Sequence, residues 1–346
     1  MKSIKNTLKT LLGIAACLCF IEASAQDLQA DNMLLFQRAS GGWSKQYHGK
    51  AFSYNVQFSD SLKKDIAIEA SHDDANIDNE STKKEIRYLA KIYKTVKNPQ
   101  YVAAIERGIK FLLKSQYENG GFPQYYPEKA LYRAQVTFND NAMINALNVL
   151  QDVALKQNDL EIVSPGLIAP CAEAVQKGIK CILNTQIKAN GKLTAWCQQY
   201  NQNTLVPETA RAYELPSISG SESVGIAEFL MSQPNPSKEI KTAVNAAADW
   251  FQTVKIVGYK MVSVATPGAP NGRDRQLVAD AGAPTMWARY YEIGTNKPFF
   301  CDRDGIKKYS IAEIGFERRN GYAWYGTWPQ HFLDKTYPDW VKKWGK

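Results

Sequence analysis

The sequence predicts a mostly α fold, an (α/α)3 toroid-like helical domain with long functional loops and little β structure, and three observations carry that prediction. First, a phrase recurs in which a helical run ends in a polar turn and then an aromatic cluster. Its clearest copy runs from Ser115-Gln116 through Asn119-Gly120-Gly121 to Phe122 and Tyr125-Tyr126. A looser one runs from Thr185-Gln186 through Asn190-Gly191 to Trp196 and Gln199-Tyr200, and a weaker echo is Asn320-Gly321-Tyr322-Ala323-Trp324-Tyr325. Such self-similarity implies stacked or ring-arranged units, because one helical hairpin cannot bury its apolar face alone. Second, apolar stripes at helical spacing come in consecutive pairs. Third, alternating β-branched patterns are sparse.

Along the chain, residues 1–25 read as an export leader. Lys2, Lys5 and Lys9 form a basic start, Leu11 begins an apolar stretch ending at Phe20, and Ala23-Ser24-Ala25 is a small-x-small cleavage site. The stretch is too short to span a bilayer. An acylation box at Ile14-Ala15-Ala16-Cys17 is the rival reading, but the apolar run continues past Cys17 and a better cleavage site follows. The mature chain, 26–346, is expected to be one catalytic domain, secreted or periplasmic, working as a monomer. About 320 residues suffice for a large single core, and no Gly/Ser/Pro-rich linker divides them.

The first hairpin pairs a helix over 84–96, with Ile86, Leu89, Ala90 and Tyr93 on one face, with a run after Asn98-Pro99 carrying Val102, Ile105, Ile109, Leu112 and Leu113. The second pairs 141–155 with 170–186. The third pairs 221–231 with 237–254, where Ile240, Val244, Ala247 and Phe251 make the stripe. A further helix is expected over 284–293 and a short one around 307–314.

The formal charge of the whole chain is +8; cleavage removes three lysines and one glutamate and leaves +6. An exported basic protein can steer toward a polyanion. With no basic run or nucleic-acid motif, an acidic polysaccharide fits better than nucleic acid. Cys171, Cys181, Cys197 and Cys301 show no zinc-like spacing and read as buried free thiols. His48, His72 and His331 are too scattered for a triad or a histidine metal site.

In an up-down ring, equivalent loops lie at one end. Asp78-Asn79 precedes the first hairpin, Asn139-Asp140 the second and Arg211 the third, so Asp78, Asp140 and Arg211 should converge on one mouth. Paired Asp and Asn side chains suit a hard, oxygen-liganded cation such as Ca2+. The competing reading makes Asp78 and Asn139 or Asp140 helix N-caps. Loop arginines Arg211, Arg273, Arg275, Arg289 and Arg303 could hold carboxylates in bidentate fashion. A structural ion pair is the alternative for each. Aromatics such as Trp43, Phe122, Trp196, Tyr200, Trp324 and Trp328 could stack on sugars or close the loops.

Several motifs together resemble the pectate lyases of polysaccharide lyase family 10. They are Gly41-Gly42-Trp43-Ser44-Lys45, Ile77-Asp78-Asn79 with Thr82 and Glu85-Ile86, and Asn119-Gly120-Gly121-Phe122-Pro123-Gln124. They continue with Thr137-Phe138-Asn139-Asp140-Asn141-Ala142-Met143, Ala210-Arg211-Ala212-Tyr213-Glu214-Leu215-Pro216-Ser217 and Trp287-Ala288-Arg289-Tyr290-Tyr291-Glu292. Ser44 departs from the proline of the family pattern. The resemblance implies calcium-assisted β-elimination on polygalacturonate. It places Asp78, Asn79 and Asp140 at the metal, makes Arg211 the base for the C5 proton, and gives Asn139, Arg275, Arg289 and Arg303 to substrate. An arginine base needs help, because guanidinium is ordinarily protonated; a dense positive field around Arg211 would supply it. The alternatives are a toroidal hydrolase using Asp78, Asp140 or Glu214 as acid and base, and a non-catalytic uronate-binding protein.

Overall fold

The computed structural model describes residues 27–346, so the predicted leader lies outside the described residues. Two helices not anticipated from the sequence come first, α1 (Leu28–Phe36) and α2 (Asp60–Glu69). The three expected hairpins follow. The first is α3 (Lys83–Tyr93) and α4 (Pro99–Ser115), the second α5 (Ala142–Leu155) and α6 (Ile168–Thr185), and the third α7 (Glu222–Met231) and α8 (Lys238–Thr253).

Local chemistry explains several starts. The Asn98 side chain accepts from the Gln100 amide with Pro99 at the first helical position, and Ser237 accepts from the Ile240 amide. Short connections make the first and third pairs antiparallel, and a 3-10 turn, Pro165–Leu167, leads the longer second connection into α6. Packing then sorts the helices into two rows: α3, α5 and α7, here called the inner row, touch in sequence, as do α4, α6 and α8, here called the outer row, with α1 beside α3 and α4. The expected stripes face the core, where Ile86, Leu89, Ile105, Ile109, Leu150, Ile182, Val244 and Phe251 are buried. Each contributes roughly 1.5–3 kcal/mol by leaving water.

The recurring phrase is a suture between units. Gln37, Gln116 and Gln186 are the C-caps of α1, α4 and α6. The amide of each donates to two carbonyls, one in its own turn and one in the next helix of the outer row. The pairs are Gly41 and Ala104, Gly120 and Ala174, and Thr194 and Ala243. Gly120 is obligatory: φ is +87°, and a Cβ there would lie 2.0 Å from the Lys177 carbonyl oxygen. The first copy therefore begins at Gln37 and reaches Trp43. The echo at 320–325 is not a copy; it belongs to a second aromatic cluster with Tyr213, Tyr290, Phe299 and Phe300.

Two predicted helices are not helices. Within 284–293, Trp287–Ala288 pairs with Tyr325–Gly326, and Tyr290–Tyr291 pairs with Ile218–Ser219. A short apolar aromatic run satisfies a buried strand as well as a helix, and Gly282 and Pro284 flank this one. Around 307–314 the chain forms a strand, Lys307–Lys308, and a 3-10 turn, Ile311–Glu313. A seven-residue antiparallel hairpin, Tyr259–Ala265 with Arg273–Ala279, was not expected. Its half-exposed residues lack a clean apolar alternation. Cys171, Cys181, Cys197 and Cys301 are buried free thiols, and burial pushes Cys171 and Cys181 up to about 12. No helix among the described residues is long and apolar enough to cross a membrane.

Candidate active site

The site lies where the inner row begins. Two 3-10 turns, Asp78–Glu80 before α3 and Asn139–Asn141 before α5, have left-handed backbone in their middles. Asn79 (φ 47°), Glu80 (64°), Thr82 (69°), Asp140 (50°) and Asn141 (59°) all sit there. Asn and Asp tolerate this region; a β-branched threonine does so only when held. Thr82 is held, since its Oγ1 accepts from the Trp43 amide at 3.0 Å and donates to the Asn76 carbonyl at 2.8 Å. Neither α3 nor α5 takes a side-chain N-cap, so Asp78 and Asp140 are free of capping duty.

Asp78, Asn79, Asn139, Asp140 and Arg211 line one cavity of about 90 Å³, together with Lys45, Gln124, Tyr132, Gln199 and Glu214. Asn79 and Asp140 also line an adjoining groove of about 670 Å³ with Glu80, Lys83, Glu222, Arg289 and Trp328. A larger space of about 950 Å³ lies between α6 and α8 and contains none of these residues. Size there does not mark chemistry.

Main-chain bonds bring the loops together. The Ile77 amide donates to Gln124, those of Phe138 and Asn139 to Gln198, and that of Gly220 to Arg289. Arg289 is thereby fixed beside the start of α7. Its Nη2 contacts Glu222, lies 3.6 Å from Asp140, and its guanidinium stands 5.0 Å from the Tyr322 ring centroid.

Charges are paired almost throughout. Lys45 contacts the buried Asp78 carboxylate. Arg211 donates through Nε to Glu214 Oε2 at 2.7 Å and through Nη2 to Oε1, and Tyr322 donates to the same Oε1 at 3.1 Å. Burial works against the charge on Lys45, but the bond to Asp78 outweighs it and its pKa rises. Burial and the charge of Glu222 raise Asp140 above the usual aspartate value, against the opposing pull of Arg289. The side chain that Arg211 meets most closely is a carboxylate, not another cation. Burial disfavours its charge, yet the Glu214 carboxylate more than compensates and holds the guanidinium firmly protonated.

Not every predicted residue joins the cavity. Arg275 is on the unanticipated hairpin and lines a separate space of about 350 Å³ with Ser263, Arg319, Tyr322 and Trp324. Arg303 is exposed and bidentate to Glu317, both contacts 2.8 Å, with its guanidinium 5.8 Å from the Tyr213 ring. Trp43, Phe122, Trp196, Tyr200 and Trp324 are buried packing residues. Trp328 faces the groove. Sequence reasoning missed the roles of Lys45 and Glu222, although Lys45 ends a quoted motif and Glu222 starts α7.

Among the described residues no three His, Cys, Asp or Glu side chains gather as a metal-binding group. A hard cation here would instead draw on two carboxylates and neutral oxygens. Asn139 Oδ1 fits that need, being buried without a hydrogen-bond partner while its Nδ2 donates to Asp140 Oδ2 at 2.9 Å.

A family model for pectic acid lyase matches residues 37–333. Two solved structures of a family 10 polysaccharide lyase from Cellvibrio cellulosa are similar. One, an aspartate-to-alanine mutant in complex with trigalacturonic acid, is 37% identical, with 92% of this chain and 92% of that chain covered and a TM-score of 0.77. The other is also 37% identical, with 92% and 91% covered and a TM-score of 0.75. No curated protein matches the chain. Fold, rim and matches define the class: a polysaccharide lyase on a toroid of helical hairpins. Within that class the chain belongs to the pectic acid lyase family, and it acts on pectate.

Proposed function

We propose that this enzyme cleaves polygalacturonate by calcium-assisted β-elimination, with Arg211 removing the C5 proton and a 4,5-unsaturated oligogalacturonide leaving. The observation that carries the reading is the meeting of Asp78, Asn79, Asn139, Asp140 and Arg211, from three distant loops, in one cavity. The similar enzyme held with trigalacturonic acid supports an oligogalacturonate as ligand. The leader motif supports export to the periplasm or the medium.

Asp78, Asp140 and the unpartnered Asn139 Oδ1 would hold the calcium, with Asn79 beside them. Bound there, calcium would act as a Lewis acid and template on a substrate carboxylate, making the adjacent C5 hydrogen more acidic. Arg289, on the groove wall, would hold a neighbouring uronate carboxylate, a task suited to its planar fork. Arg275 and Arg303 would serve carboxylates farther out, after Arg303 exchanges Glu317 for substrate. Arg211 would take the C5 proton as O4 departs. To do so it must leave the field of Glu214, which favours its charged form.

The assay is ultraviolet absorbance of the unsaturated product on polygalacturonate. Activity is expected to vanish with EGTA, return with calcium, and disappear in Arg211→Ala. Saturated reducing ends made without calcium would indicate the hydrolase instead. Binding of oligogalacturonate with no double bond formed would indicate a binding protein. Activity that persists through both EGTA and Arg211→Ala would sink the proposal.

A further inference from the structure

Among the described residues, Lys45 is the one cation of the rim whose partner is a proposed calcium ligand alone. Arg211 is matched to Glu214, and Arg289 contacts Glu222 more closely than Asp140. Lys45 is matched to Asp78, whose side chain is 5% exposed. A carboxylate so buried needs a counter-charge, since leaving it unpaired in a poorly hydrated place is strongly unfavourable. The ammonium supplies that charge from a flexible stem that lines the same small cavity.

We propose that Lys45 is a built-in competitor for calcium. It neutralises Asp78 in the metal-free protein and must surrender the Asp78 oxygen when calcium enters. The inference rests on the calcium reading of the site. A divalent ion and an ammonium cannot share one carboxylate oxygen at contact distance without strong like-charge repulsion. Ammonium is also the displaceable choice, because a lysine offers a compact charge on a mobile chain where an arginine fork would hold both oxygens. Freed from Asp78, Lys45 still faces the cavity and can meet a uronate carboxylate arriving with the substrate. On this view the metal binds weakly alone and more tightly with substrate, which gives the displaced ammonium a new partner.

The test is calcium affinity by calorimetry, without substrate, for the wild type, Lys45→Met and Lys45→Arg. Lys45→Met keeps the stem and removes the competitor. Its calcium affinity should rise about tenfold, equal to about 1.4 kcal/mol, while its metal-free melting temperature falls and calcium restores more of it than in the wild type. Lys45→Arg should bind calcium no more tightly than the wild type. A merely structural lysine would lower the melting temperature equally with and without calcium. Unchanged or weakened calcium affinity in a folded Lys45→Met protein would overturn the inference and leave the calcium reading intact. Calcium binding by neither protein, even with oligogalacturonate added, would overturn both. Should Lys45→Met not fold, Lys45→Gln, which can still hydrogen-bond Asp78 without a charge, answers the same question.

Discussion

Two sets of turns in this molecule do opposite work. Around the outer row, Gln37, Gln116 and Gln186 close three junctions in the same way, each amide bridging to the next helix. At the start of the inner row, the turns before α3 and α5 share strained left-handed backbone but little else. They leave Asn139 Oδ1, and nearby Arg289 Nε, buried without partners. The difference teaches where folding and catalysis separate. A glutamine amide that only holds units together can be fully engaged, although the first junction also carries Arg38 Nη1 and Ser40 Oγ buried without partners. A turn that held a cation and an anionic polymer, as proposed for this site, would have to keep some of its polar groups waiting.

Changes to the inner turns should therefore cost catalysis, and changes to the outer junctions should cost stability. The largest effect is expected from removing Arg211. Because Arg211→Ala alone would leave Glu214 buried and uncompensated, the sharper variant is Arg211→Ala with Glu214→Gln. It should lose about 10²- to 10⁴-fold in kcat while melting near the wild type; a folded protein with normal turnover would break the comparison. Next is Gly120→Ala. Strain at positive φ and collision with the Lys177 carbonyl should cost about 2–5 kcal/mol. Denaturant unfolding would measure this, and kcat should stay unchanged at temperatures where the protein remains folded. Smaller still is Gln116→Ala, which removes two hydrogen bonds, one within its own turn and one to the next helix, and should cost about 1–3 kcal/mol. A fall in kcat without any loss of stability would show that the outer junctions also shape the site.

The smallest effect is on pH. Asp140 has its folded pKa raised by burial and by Glu222. Whatever stability its proton confers is present below the ordinary aspartate value and is lost as pH rises through the elevated one. Protons and calcium would compete for the same oxygens, so calcium affinity should weaken as pH falls through that window. Calorimetry across mildly acidic pH should show this in the wild type. Asp140→Asn should bind calcium more weakly with the dependence largely gone, and an unaltered dependence would take Asp140 out of the metal site.

Much of this was legible in the chain. The three hairpins, the free thiols and the acid–amide pairs Asp78-Asn79 and Asn139-Asp140 were visible as periodicity and spacing. Repeat geometry alone anticipated that Asp78, Asp140 and Arg211 would meet. The segment carrying Arg289 was misread as a helix because its aromatic spacing suits either structure. Its strands exist because Trp287–Ala288 finds Tyr325–Gly326 and Tyr290–Tyr291 finds Ile218–Ser219 as partners. The first suture was missed because Gln37 follows α1, a helix with almost no amphipathic stripe to announce it.

What the sequence determined by itself is local: where apolar stripes run, where helices stop at glutamine and glycine, and which residue types stand at each turn. Such features depend on neighbours a few positions away. Tertiary structure decided which charge answers which. Lys45 finds Asp78 across 33 residues and Arg289 finds Glu222 across 67. Electrostatic pairing depends on distance in space and on the water excluded between the partners, and neither is written along the chain. For the same reason the raised pKa of Arg211 follows only from Glu214, which accepts from its Nε and Nη2.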